Sequence, residues 1–103
     1  MNSQPKREAT PEIFDRNILL HHAMNDPVLA KEVLGLFLQQ IETLVRKDWT
    51  ALDLYFEMHT LKGSAATVGA MELEHIARNW REIGPELRNR LKIATATFEQ
   101  ATK

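Results

Sequence analysis

Cysteine is absent from the chain, which excludes a disulfide framework, thiol catalysis and zinc sites built on thiolates. Glycine and proline are scarce, at four each, and they stand at the edges of long periodic stretches, as in an all-helical protein. Sustained alternation of apolar and polar residues is missing too, and with it any strand signal. No apolar run approaches the ~20 residues of a membrane helix; the greasiest segment, Val28 to Leu38, is interrupted by Lys31 and Glu32. Met1 to Thr10 are polar and include Pro5, unlike a secretory signal. With neither export signal nor cysteine, the expected compartment is the cytoplasm. Neither sign of charge dominates: 13 Lys and Arg against 14 Asp and Glu leave a formal net charge of −1. Nucleic-acid binders usually carry a basic excess, so none is expected as a partner.

What is present is the mix of an ordinary globular domain, 44% hydrophobic and 26% charged over 103 residues. A chain of this length buries roughly 65% of its unfolded surface and needs no staples. Residues 1–10 read as a disordered tail and 11–103 as one domain. The initial Met and small size point to a free-standing protein.

Apolar periodicity divides the domain into helices. Pro11 to Met24 reads as a short amphipathic helix with Ile13, Phe14, Ile18 and Leu19. Asn25-Asp26-Pro27 supplies a stop, an N-cap and a first-turn proline. A long helix follows to about Lys47, its wide stripe (Val33, Leu34, Phe37, Leu38, Ile41, Leu44, Val45) touching neighbours on two sides. Asp48 caps a third helix, Trp49 to about Val68, which Gly69 ends. A fourth spans Met71 to Ile83, with Leu73, Ile76, Ala77, Trp80 and Ile83 inward. Gly84-Pro85 breaks it and starts a fifth, lined by Leu87, Leu91, Ala94, Phe98 and Ala101. Short connections force antiparallel neighbours. The expected architecture is all-α: an up-down-up-down four-helix bundle with a short additional N-terminal helix.

The third helix carries the anomaly. Its core stripe is Leu54, Met58, Leu61, Ala65 and Val68. At 100° per residue His59 points about 140° from the centre of that stripe, toward solvent. Lys62 and Gly63 lie one turn along, in reach of an i side chain. Leu52, Tyr55, Phe56 and Ala66 share this outward half, which is too apolar for mere solvation, so a partner is expected to dock there. A glycine inside a helix costs about 1 kcal/mol against alanine. At position 63 that cost has no packing return, but it keeps space open beside the ring. A neutral exposed imidazole is a nucleophile near pH 7, and Lys62 can hold an anionic group near it.

The stretch His59-Thr60-Leu61-Lys62-Gly63-Ser64-Ala65-Ala66, continued by Gly69-Ala70 and Leu73, resembles the signature of histidine-containing phosphotransfer (HPt) domains of bacterial-type phosphorelays. The five-helix pattern extends the likeness over most of the chain. The resemblance implies that a receiver domain carrying a phosphorylated aspartate docks on the bundle. His59 takes the phosphoryl group through Nε2 and passes it to a second receiver aspartate. The Mg²⁺ and the acidic site belong to the receiver, so the chain has no cofactor of its own and no ATP-dependent kinase activity. Implied partners are response-regulator receiver domains and a hybrid sensor histidine kinase, with the chain itself a monomer.

By the same resemblance Lys62 supports the phosphoryl group and Gly63 gives the receiver access. Ser64 is a supporting residue, with a capping or packing role as the equal alternative. In the family a side chain from the next helix often holds the other histidine nitrogen. Here that position is Arg81, which cannot accept the Nδ1 proton; pairing with phosphoryl oxygens or a salt bridge to Glu82 or Glu74 both stay open. Met58 stands where the family favours alanine and should alter packing only. The first helix belongs to the family's docking surface, which adds Phe14 and Ile18 to Leu52, Tyr55, Phe56 and Ala66, with core duty the alternative. His21, His22 and His75 lack convergent partners, and no metal site is expected. The second functional reading is a non-catalytic helical adaptor that binds or sequesters a receiver.

Overall fold

The computed structural model describes residues 13–103; the expected tail at 1–10, with Pro11 and Glu12, lies outside the described residues. Those described contain helices and no strand: α1 (Arg16–His22), α2 (Pro27–Arg46), α3 (Ala51–Val68), α4 (Met71–Arg78), α5 (Trp80–Ile83) and, after a 3-10 turn at Gly84–Glu86, α6 (Leu87–Ala101). Helix α2 packs on α3, α3 on α4, α4 on α6 and α6 back on α2, while α1 lies against α2 and α3.

Helix boundaries follow from where orphan backbone groups find partners. Asp26 accepts from the N–H groups of Val28 and Leu29 at 3.0 and 3.3 Å and Pro27 occupies the first turn, as expected. Helix α4 starts at Met71 as expected, whereas the starts of α1 and α3 differ from expectation. Helix α1 begins at Arg16, with Asp15 as its cap, accepting from the N–H groups of Asn17 and Ile18. Ile13 and Phe14 therefore precede it. Helix α3 is capped by Thr50, not Asp48. Asp53 N–H donates to Thr50 Oγ1 at 3.0 Å and Thr50 N–H donates to the Asp53 carboxylate at 3.2 Å, a reciprocal box. Trp49 is engaged elsewhere: its indole N–H donates to the carbonyl of Leu44 at 3.1 Å. The Arg88 guanidinium lies 4.0 Å over its ring and donates to the carbonyls of Val45 and Lys47. Side chains from outside α2 thus satisfy its last carbonyls, and the chain stays non-helical as far as Thr50.

The expected fourth helix is two. At Asn79 the side-chain amide donates to the carbonyl of His75 at 2.8 Å, a local bond that competes with helix continuation. Glu86 belongs to the 3-10 turn, and no ion pair joins it to Arg90 among the described residues. Glu42 and Arg46, inside α2, do pair, at 3.7 Å.

The core is built from Phe37, Ile41 and Leu44 of α2, Met58, Leu61, Ala65 and Val68 of α3, Leu73, Ile76 and Ala77 of α4, and Leu87, Leu91, Ala94 and Phe98 of α6, all buried. Ala101, expected inward, is exposed. Phe98 takes edge-to-face contacts from Phe14 and Phe37, with centroids 5.5 and 5.6 Å away.

Gly69 ends α3 in the left-handed region at φ 76°, and its carbonyl accepts the Asp15 N–H at 2.8 Å. A Cβ there would collide with the carbonyl oxygen of Asp15. This close approach ties α1 to the end of α3.

Two predictions follow from these ends. Gly69→Ala combines a left-handed alanine with that collision and should cost about 2 kcal/mol or more, read as a lower urea midpoint; an unchanged midpoint would show that the α1–α3 contact is dispensable. Hydrogen bonds from Thr50, the backbone one foremost, hold the Asp53 carboxyl below its ordinary value. Its contribution is therefore present above the unfolded carboxylate pKa and lost as pH falls through the folded one. Asp53→Asn should destabilise the protein at pH 7, with the difference from wild type closing in acid; a difference independent of pH would refute the charged cap.

Candidate functional site

The inward stripe of α3 fixes what its other side presents. Met58, Leu61, Ala65 and Val68 are buried and Leu54 is half-buried, so the wheel drawn from sequence holds along this helix. His59 is exposed, Lys62 half-buried and Gly63 exposed. Nothing lies within 4 Å of where a Gly63 Cβ would stand.

His59 opens onto a groove of about 200 Å³ between α3 and the α4–α5 pair. Tyr55, Met58 and Lys62 line it from α3, Ala77 and Arg78 from α4, and Trp80 and Arg81 from α5. The three basic side chains are in different states. Arg78 is bound to Glu74, a carboxylate only 7% exposed. Neither Lys62 nor Arg81 has a carboxylate partner among the described residues. The salt bridge from Arg81 to Glu82 or Glu74, one of the two roles left open by the sequence, does not form. Instead the Arg81 guanidinium lies 4.8 Å over the Trp80 ring and 5.9 Å from that of Tyr55. The groove thus holds an exposed imidazole beside two un-neutralised cations, which favours an anionic group at the ring.

The remaining candidates are dispersed. Ser64 is half-buried; its hydroxyl donates to the Thr60 carbonyl at 3.1 Å, and it lines a separate depression toward α2 with Val33 and Phe37. Phe14 is half-buried against Phe98, and Ile18 is half-buried on α1. Leu52, Tyr55 and Phe56 are 66%, 45% and 56% exposed, Ala66 is exposed, and the rings of Tyr55 and Phe56 meet edge to face at 5.3 Å. The outer side of α3 around His59 is therefore apolar and open. Among the described residues no group of three or more His, Asp or Glu could hold a metal ion, and no helix is long and apolar enough to cross a membrane.

Trp80 and Arg78 were missed as groove residues. The sequence reading placed Trp80 inward on one continuous helix; the helix breaks at Asn79, and Trp80, half-buried and packed against the core, also carries Arg81 over its ring. The signal was present in Asn79 itself, a poor helix former that bonds readily to nearby backbone.

Comparison with protein-family models matches residues 29–101 to the Hpt domain, from α2 to the end of α6 and without α1. Comparison with curated proteins and with solved structures gave no match.

Open space around Gly63 separates its backbone cost from any packing need. Gly63→Ala should raise stability by about 1 kcal/mol, seen as a higher thermal midpoint; a lower midpoint would mean that the site is more crowded than its geometry indicates.

Proposed function

The chain belongs to the Hpt domain family, whose members carry phosphoryl groups in two-component signalling, and from that membership we propose that it is a phosphorelay intermediate acting through His59. The observation that carries the reading is the exposed imidazole beside Lys62, with unfilled space at Gly63.

In the first transfer the Nε2 lone pair of neutral His59 attacks the phosphorus of a receiver's aspartyl phosphate. The N–P bond forms as the acyl O–P bond breaks, and the aspartate leaves as a carboxylate. The imidazole keeps its Nδ1 proton and balances one of the two phosphoryl charges. The second transfer reverses these steps on the aspartate of another receiver. A loose transition state of this kind rewards in-line placement and charge stabilisation. A stiff helix supplies the first and Lys62 part of the second. Receiver and hybrid kinase domains are the proposed partners, and the Mg²⁺ comes with the receiver.

Leu52, Tyr55, Phe56 and Ala66, with Ile18 and the exposed part of Phe14, form the proposed docking surface. Their apolar exposure around the acceptor supports this reading. Transient interfaces of this kind fall below about 1,200 Å². The four longer helices are read as an up-down-up-down bundle; the short connections between them and the cycle of neighbours α2, α3, α4, α6 support that reading.

Incubation with a labelled phospho-receiver tests the assignment. The chain should acquire an acid-labile, base-stable label that His59→Gln abolishes. Gly63→Gln should retain the helix content and lose at least tenfold in transfer rate, because its side chain fills the approach to the ring. Label on the His59→Gln protein would overturn the assignment, and receiver binding without label would leave the adaptor reading in its place.

A further inference from the structure

We propose that Arg81 is the phosphoryl clamp of this groove, its guanidinium held by one face on Trp80 while its in-plane N–H groups bind the oxygens of a phosphoryl group on His59. The proposal rests on the reading of His59 as the phosphoacceptor. It decides a role that the sequence leaves open for this side chain.

A second arginine in the same molecule shows what such stacking leaves available. Arg88 lies 4.0 Å over Trp49 and still donates to two carbonyls, those of Val45 and Lys47. Cation–π contact engages the face of a guanidinium and leaves its five N–H donors in the plane. Arg81 has the same arrangement on Trp80, but among the described residues no carboxylate pairs with it. The other arginine of the groove, Arg78, is already bound to the Glu74 carboxylate. Arg81 is thus oriented, charged and without an anionic partner, in a groove that it shares with His59 and Lys62. A phosphoryl group brings nearly two negative charges and three acceptor oxygens, which a planar fork can take two at a time.

Phosphoramidate tests the clamp without a protein partner. His59 Nε2 attacks its phosphorus, the donor P–N bond breaks, ammonia leaves and the new N–P bond forms, with the imidazole retaining the Nδ1 proton. Arg81→Ala should slow this labelling about tenfold and move the ³¹P resonance of the phosphohistidine, with helix content and melting temperature unchanged. Arg81→Lys should recover part of the rate. Arg81→Gln, which keeps a polar stem on Trp80 without the charge, replaces Arg81→Ala if that variant loses helix content. If Arg81→Ala matches a labelled wild type in rate and resonance, the clamp is wrong and the acceptor assignment stands. Slower transfer from a phospho-receiver with normal phosphoramidate labelling would make Arg81 a contact to the partner protein and equally overturn the clamp. A wild-type chain that takes no label from either donor removes the acceptor assignment itself.

Discussion

The burial of one stripe of α3 governs the rest of this molecule. Met58, Leu61, Ala65 and Val68 are held against the core that α4 contributes to, through Leu73, Ile76 and Ala77. A helix so anchored cannot roll about its axis without exposing that stripe, at roughly 25 cal/mol for each Å² of apolar surface. The orientation of His59, one residue on from a buried methionine, is a consequence of that packing. The direction in which this side chain leaves the backbone is thus set by the helix as a whole.

Two glycines on this helix and its end illustrate opposite uses of the missing side chain. Gly69 is required by the backbone: it sits at φ 76° with the Asp15 carbonyl pressed against it, and α1 is placed by that contact. Gly63 is required by nothing inside the fold, since a Cβ would meet empty space. A residue that weakens its own helix and serves no contact inside the fold supports the proposal that a partner domain approaches there.

The groove beside His59 gains its character from how charge is distributed among its cations. Glu74, though nearly buried, pairs with Arg78, while Lys62 and Arg81 have no carboxylate partner among the described residues. Trp80 packs against the core at its edge and, with Tyr55, also faces the Arg81 guanidinium. The site is therefore basic although the chain as a whole carries a formal net charge of −1.

The sequence alone determined the helical class, the extent of α2, the left-handed end of α3 and the outward direction of His59, because each depends on residues within a turn or two of one another. A continuous stripe fixes the phase of a single helix, and Pro27 or Gly69 fixes a boundary by its own backbone limits. Tertiary structure decided the rest. Thr50 displaced Asp48 as a cap because Trp49 docks on the end of α2, a contact invisible to local pattern. Ser64, one residue beyond Gly63 in the motif, faces α2 and not the groove. The resemblance places Arg81 near His59, but that it lies over Trp80 without a carboxylate partner among the described residues came from the folded chain. Periodicity carries orientation along one helix, but two helices meet where packing puts them.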